Sequence, residues 1–385
     1  METSEIAGAT SWIEISSAAI AHNVALFRGL LSPGTALLAV VKANAYGHGL
    51  DHVVRACRAA GVGWFGVHSA DEVVALRRSA FSGPVLIMGY LTPGQVEAVV
   101  DPEVHVLLSS ESVLEALAAH GRRLGVSLPV HIKVDTGTHR QGVPPEDAAA
   151  FAERVRAAGL RVAGLATHFA NIEDTTDHSY AQGQLQSFRA ALAAVRAAVG
   201  PVPHVHTACS AAALLFREAD FTMARVGISL YGHWPSKETY LSWLLAHGCD
   251  SVKLEPALAW RARVGQVKSV GEGSPIGYGL TYRPTRRSRI AVLPVGYSDG
   301  YPRALSNRAR VVIRGRPAPV IGRVAMNITL VDVTDIPDVA ESDVVTLIGT
   351  DGNERVTVEE LAELAGTINY ELLARLSPLT ARVLQ

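Results

Sequence analysis

From residue 12 to about residue 232 the chain repeats one rhythm: short apolar, β-branched runs alternate with Ala-rich stretches of helical period. The strand-like runs are LLAVVKA, GWFGVHS, VLIMGY, VHVLLSS, VHIKVD, VAGLATHF, HVHTACS and ARVGISLYG. They are apolar nearly throughout, the pattern of a parallel strand buried on both faces. Between them lie segments such as PEDAAAFAERVRAAG, with Pro and acids at its start and Gly159 at its stop, the usual asymmetry of a helix. About eight strand–helix pairs over some 220 residues fit a closed (β/α)8 barrel better than an open doubly wound sheet. No GxGxxG follows the first strand, which counts against a dinucleotide-binding fold.

Residues 257 to 350 have another texture. The long Ala-rich helices give way to LAWRARVGQVKSV, RIAVLPVGY, ARVVIRG, NITLVDVT and DVVTLIG, separated by Gly and Pro turns, the signature of an antiparallel β domain. A length of 385 residues also asks for two cores. The texture changes near Glu255-Pro256, and the domains are set at residues 1–250 for the barrel and 251–385 for the β domain. TVEELAELAGTINYELLARL reads as one last helix capped by Thr357.

A formal net charge of −1 gives the surface no general pull towards nucleic acid or anionic membrane. The basic run Arg283 to Arg289 is broken by Pro284 and reads as a solvated loop. Cys57, Cys209 and Cys249 are odd in number and lack CxxC spacing, so they read as reduced thiols of a cytoplasmic protein, with no metal site. The acidic start METSEIAGATSWIEIS is not expected to be a secretory signal. No charge-free apolar run reaches the roughly 18 residues a membrane span needs.

Catalytic residues of such barrels sit where strands end at their C-terminal side. Lys42 ends one strand; Lys133 and Asp135 end another, with Arg140 close behind. His168 follows LAT, Ser210 follows HVHTAC, and Arg225 lies within MARVGISLYG. Singly, each has an ordinary structural reading: a snorkelling lysine, a core histidine, an Asp–Arg bridge. Together they describe a basic pocket for a ligand with two anionic groups. A lysine at an apolar strand end loses part of its charge through burial, and a neutral amine attacks aldehydes. Pyridoxal 5'-phosphate, an aldehyde carrying a phosphate, is one ligand of that kind. A lysine that only clamps a substrate phosphate accounts for the same residues.

VVKANAYGHG also resembles the pyridoxal-phosphate lysine signature of bacterial alanine racemases. KVDTGTHRQG, THFANIEDTTD, HTACSAAALL, MARVGISLYG, IGYGLTY, PVGYSDGYPR, IGRVAMN and TINYELLARL follow in that family's order, spanning both domains. The resemblance implies a pyridoxal-phosphate barrel followed by a β domain, and racemisation of alanine to supply D-alanine for peptidoglycan.

By the same resemblance Lys42 would carry the cofactor, with its phosphate held by Tyr46, Ser210, Tyr370 and the amides of Gly227 and Ile228. Arg225 would face the pyridine nitrogen, with His168 beside it. Arg140 would hold the cofactor's phenolic oxygen and the substrate carboxylate. Lys133 corresponds to a lysine often carbamylated in the family, and Asp135 reads as a structural acceptor. Lys42 would serve one face of the substrate's α-carbon and Tyr278 the other. Tyr278 and the backbone N–H of Met326 would come from the other subunit of a homodimer, with Tyr297, Arg303 and Arg323 along the access channel.

The chain departs from the family pattern in several places. Ala325 and Asn327 stand in GRVAMN where Cys and Asp are usual, and Thr138-His139 where Met-Gly is common. The ending is SPLTARVLQ, and PSKETYLSWLLAHGCDSVK is a long interdomain link with room for an extra helix. A serine or other small-amino-acid racemase, a barrel-fold decarboxylase of basic amino acids, and a non-catalytic pyridoxal-phosphate carrier are the competing readings. Arg225 and HTACSAA disagree with the decarboxylase, whose ring nitrogen meets a carboxylate. The β domain and Tyr278 disagree with the carrier.

Overall fold

The computed structural model describes residues 8–385, so the first part of the acidic N-terminal stretch lies outside the described residues. The chain forms two compact units, one of Ala19–Ala43 and Val54–Glu255, the other of residues up to Ala18, Asn44–Val53 and Pro256–Gln385. The division at Glu255/Pro256 coincides with the change in sequence texture.

The first strand, β1 (Ser11–Ile15), corrects the sequence reading, which placed all of residues 1–250 in the barrel. It pairs antiparallel with β10 (Leu258–Arg263), Ser11 opposite Ala262, and parallel with β18 (Ala381–Leu384), Trp12 opposite Ala381. Trp12, Ile13 and Ile15 are buried in that sheet. A five-residue strand of mixed polarity, SWIEI, does not name its partner.

The barrel consists of β2 (Ala36–Val40), β3 (Trp64–Val67), β4 (Val85–Ile87), β5 (Val104–Leu108), β6 (Pro129–Lys133), β7 (Arg161–Ala166), β8 (His204–His206) and β9 (Met223–Val226). Each pairs in parallel with the next from β2 to β8, and β9 returns to lie beside β2. The barrel is nearly closed: beside the last two strands, Thr222 N–H donates to Val205 O at 3.1 Å and Arg225 N–H to Ala208 O at 3.0 Å. The helices between start and stop as their sequences dictate. Ser69 and Glu72 form a reciprocal capping box on Ala70–Arg78, and Gly125, with φ +70°, ends Glu111–Leu124. The interdomain link does hold an extra helix, Lys237–His247, capped by Ser236 and stopped by Gly248.

In the other unit β11 (Gln266–Val270), β12 (Ser288–Leu293) and β15 (Thr329–Asp332) form one antiparallel sheet. A second sheet joins β1, β10 and β18 to β13 (Arg310–Ile313), β14 (Arg316–Pro319), β16 (Val344–Asp351) and β17 (Glu354–Val356). The strand β14 carries two prolines and lies at the sheet edge, where a missing N–H is tolerated. The expected single C-terminal helix is two helices. Gly366, at φ +71°, ends Val358–Ala365, and Asn369–Ala374 starts afresh. Thr357 caps the first by accepting from Glu360 N–H at 3.0 Å. Among the described residues no helix is long and apolar enough to cross a membrane.

Candidate active site

Lys42 follows β2 directly, and the chain after it winds the wrong way. Ala43, Asn44, Ala45 and Tyr46 all have φ of +53° to +54°, a left-handed helical turn that costs non-glycine residues about 1–2 kcal/mol each. Such a turn persists only when its surroundings hold it. Glu72 Oε1 accepts from Ala43 N–H at 2.7 Å, while its Oε2 accepts from His68 N–H at 2.6 Å. Asn44 Oδ1 accepts from Leu50 N–H at 2.9 Å. Gly47 continues the turn at φ +77°, where a Cβ would lie 2.0 Å from Leu373 O. Gly47 is thus the one residue of KANAYG that the backbone demands. Burial lowers the Lys42 pKa, Arg140 lowers it further, and Glu72 and Glu173 oppose both.

Arg225, 8% exposed, spends four of its five N–H groups inside the barrel. Its Nη1 donates to His206 Nδ1 at 2.6 Å and His206 O at 2.9 Å. Its Nη2 donates to Thr167 O at 2.9 Å and Thr207 O at 3.0 Å, with His168 Nδ1 at 3.4 Å. Among the described residues the Nε–H has no acceptor. Burial lowers its pKa to about 10, which leaves it cationic at neutral pH. His168 lies well below the ordinary histidine range, through burial first and then the charges of Arg225, Lys133, Arg140 and Lys42.

Lys133 ends β6 with its Nζ buried and, among the described residues, without a hydrogen-bond partner. Burial, then Arg225 and Arg140, push its pKa well down, against Asp135. Asp135 is the structural acceptor expected: its Oδ1 takes the N–H groups of Gly137, Thr138 and His139 at 3.0, 3.0 and 3.1 Å. Arg140 is exposed and, among the described residues, has no hydrogen bond or ion pair. With His168, Thr138 and Glu173 it borders a cavity of about 230 Å³. Ser210 Oγ accepts from Gly227 N–H at 2.9 Å, joining the loops after β8 and β9. Lys42, Lys133, His168 and Ser210 lie at or just after strand ends of the barrel, Arg225 lies within β9, and Arg140 lies in the loop after β6.

The other unit holds the remaining candidates. Tyr278 is 75% exposed at the tip of a turn between Gly277 and Gly279. That turn is tied at its base by Ile276 N–H donating to Tyr282 O at 3.0 Å, with Ile276 packed against Ile290 and Ile321. Arg323 lies against Gly279. Met326 is 56% exposed, and its carbonyl accepts from Ser298 N–H at 3.0 Å. Tyr297 N–H donates to Ala325 O at 3.1 Å, so these two loops are locked together, with Arg303 exposed nearby in sequence. Tyr46 and Tyr370 face each other with ring centroids 6.1 Å apart.

Residues 15–235 match the family model of the alanine racemase N-terminal domain, and residues 257–384 that of its C-terminal domain. The chain belongs to the alanine racemase family. It is 44% identical over 369 residues to the alanine racemase of Symbiobacterium thermophilum, covering 95% of each chain. The alanine racemase of Clostridium difficile has a similar structure, with TM-score 0.91 and 28% identity, covering 98% of this chain and 96% of that one. So does that of Bartonella henselae with covalently bound pyridoxal phosphate, with TM-score 0.83 and 28% identity, covering 98% and 100%.

Departures from the family pattern find local explanations. Asn327, where an aspartate is usual, donates from Nδ2 to Ser298 Oγ at 2.6 Å. His139, where glycine is common, sits at φ +48° and is steadied by Asp135. Sequence reasoning did not single out Glu72, Thr167, Thr207 or His206. Glu72 carried a signal, the S-x-x-E capping spacing, while the two threonines act through backbone carbonyls that no side-chain pattern encodes.

Proposed function

We infer that this chain interconverts L- and D-alanine with pyridoxal phosphate, and that Lys42 is both the cofactor's anchor and one of two proton-transferring groups. The cationic barrel mouth carries the reading. Arg140 and Arg225 supply its guanidinium charges beside Lys42 and Lys133, whose pKa values are lowered. The carboxylates of Glu72 and Asp135 are committed to backbone N–H groups, and Glu173 and Asp174 stand at the cavity rim. That leaves positive charge for an anionic ligand, and the donors fit this one. The Arg225 Nε–H is left for the ring nitrogen, and the Ser210 hydroxyl proton and the Ile228 amide are left for the phosphate. The Gly227 amide is already given to Ser210 Oγ and would have to turn from it to the phosphate, while the family resemblance adds Tyr46 and Tyr370.

When bound, pyridoxal phosphate withdraws electrons from the substrate's α-carbon and makes its proton labile. Lys42, its pKa lowered, holds its amine neutral more readily and moves the proton on one face. Tyr278 Oη, from a second copy of the chain, moves it on the other. Arg225 does not give up its proton, so it donates to the ring nitrogen without protonating it, which favours proton return over transamination. His168 backs Arg225. Arg140 holds the substrate carboxylate, with the Met326 N–H of the second copy. Lys133, buried and with its pKa pushed well down, gives up its proton more readily and suits reaction of the free amine with carbon dioxide: a carbamate forms, one proton leaves, and the new anion steadies Arg140. Tyr297, Arg303 and Arg323 line the access channel. Exposure of Tyr278, Leu280, Met326 and Ile328 supports a homodimer. The setting is cytoplasmic and the product serves cell-wall peptidoglycan.

The test is borohydride reduction of the purified enzyme followed by peptide mass mapping. The pyridoxyl group should appear on Lys42; on any other lysine it overturns the assignment.

A further inference from the structure

Below its mouth the barrel is polar where a barrel core is normally aliphatic. His206 at the end of β8, His131 within β6 and His105 near the start of β5 are 0%, 0% and 5% exposed. They hydrogen-bond in one line that begins at the guanidinium. Arg225 Nη1 meets His206 Nδ1 at 2.6 Å, His206 Nε2 meets His131 Nδ1 at 2.7 Å, and His131 Nε2 meets His105 Nδ1 at 2.8 Å. The fold makes room for this column. The β6–β7 register slips between Val130 and His131, bringing Gly164 opposite His131. A Cβ at Gly164 would lie 2.4 Å from the His131 ring. His204 stacks on His131 at 5.5 Å, and Trp64 packs edge-on to His105 at 4.8 Å.

The column has a direction. A guanidinium only donates, so His206 must accept at Nδ1 and, being neutral, carries its proton on Nε2. That N–H donates to His131 Nδ1, which fixes the same tautomer there, and His131 fixes it in turn at His105. Burial holds all three rings neutral. The polarity of the line is thus set by Arg225, and a defect at its far end is felt at Arg225. If His105 stops accepting, the His131 Nε2–H is left buried and unpaired. The ring then gains by shifting towards another acceptor, which weakens the Nδ1 it offers to His206 and, through His206, the acceptor that holds Arg225.

We propose that His206, His131 and His105 form a one-way relay that holds the Arg225 guanidinium in place from the far end of the barrel. His131 and His105 are then positioning residues for racemisation although neither lies at the strand ends. This rests on the reading that Arg225 serves the cofactor's ring nitrogen.

Neutron diffraction from deuterium-exchanged crystals of the holoenzyme tests the relay without reference to activity. All three rings should carry deuterium on Nε2 and none on Nδ1; deuterium on Nδ1 of any of them overturns the relay. Kinetics test its purpose. His105→Phe fills the space but accepts nothing, and should lower kcat roughly tenfold, as loss of a supporting partner does, with KM little changed. His105→Gln, whose amide oxygen can accept, should recover most of that loss. Equal loss in both variants, or none in His105→Phe, overturns the positioning role. Should His105→Phe fail to fold, His105→Gln and the neutron map still decide. If Arg225→Lys also leaves kcat unchanged, the fault lies in the reading of Arg225 and not in the relay.

Discussion

A tyrosine that packs a core is not left 75% exposed on a turn whose base is pinned by Ile276. Tyr278 is presented, and presentation suits a group that acts on something outside its own unit. If its phenol is one of two proton-transferring groups, its loss leaves a recognisable asymmetry. Enantiomers have equal free energy in water, so both directions of a racemase keep equal kcat/KM however slow it becomes. Tyr278→Phe should slow racemisation by on the order of 10²–10⁴-fold, the usual worth of a general acid–base group. Lys42 would remain on its own face, which by family resemblance serves the D-enantiomer. In deuterium oxide the variant should still exchange the α-hydrogen of D-alanine while hardly racemising it, and L-alanine should exchange far more slowly. Proton NMR of the α-position beside chiral chromatography reads both. Equal exchange of the two enantiomers would remove Tyr278 from the second role.

Among the elements, β6 and β7 show how a strand pair is shaped by one side chain. Gly164 has no room for a methyl group, with the His131 ring at 2.4 Å and His204 O at 2.7 Å from where its Cβ would sit. Gly164→Ala should therefore cost about 1–3 kcal/mol through overpacking, seen as a lower urea midpoint with an unchanged slope. Nothing in VAGLATHF distinguishes that glycine, because what forbids the methyl group is a histidine some thirty residues earlier in the chain. The same logic separates what was legible from what was not. Barrel strands announce themselves by near-continuous apolarity, broken by histidines in β5, β6 and β8, and the strand-end residues of the mouth follow from them. The partner of β1 is a long-range choice that SWIEI does not state. The prolines of β14 read as a loop until its edge position is known. The left-handed turn after Lys42 hides behind Ala, Asn and Tyr, and only the hydrogen bonds from Glu72 and Asn44 explain how it is held.

At the scale of the whole molecule, the buried histidines couple stability to pH. His105, His131 and His206 are held neutral by burial, His105 down to a pKa of about 3. Their folded pKa values lie below the unfolded value near 6.5, so their contribution is complete above that pH. Below it the unfolded chain takes up protons that the folded chain refuses, and stability falls by about 1.4 kcal/mol per pH unit for each histidine. Urea midpoints at pH 7.5, 6.5 and 5.5 should fall slightly over the first step and about three times as far over the second; a level second step would mean that the column accepts protons when folded. Sharing of sites between subunits is tested by mixing two inactive variants, Lys42→Ala and Tyr278→Phe, under conditions that exchange subunits. If each site takes its lysine from one chain and its tyrosine from the other, a mixed dimer has one site with both lesions and one with neither. Random exchange of equal amounts makes half the dimers mixed, each with one intact site of two, so about a quarter of wild-type activity should return, as two-fold symmetry requires. Native mass spectrometry of the mixture confirms that exchange has taken place. With mixed dimers present and activity still absent, each chain must build its site from its own lysine and tyrosine, and the exposed Tyr278 turn would need another purpose.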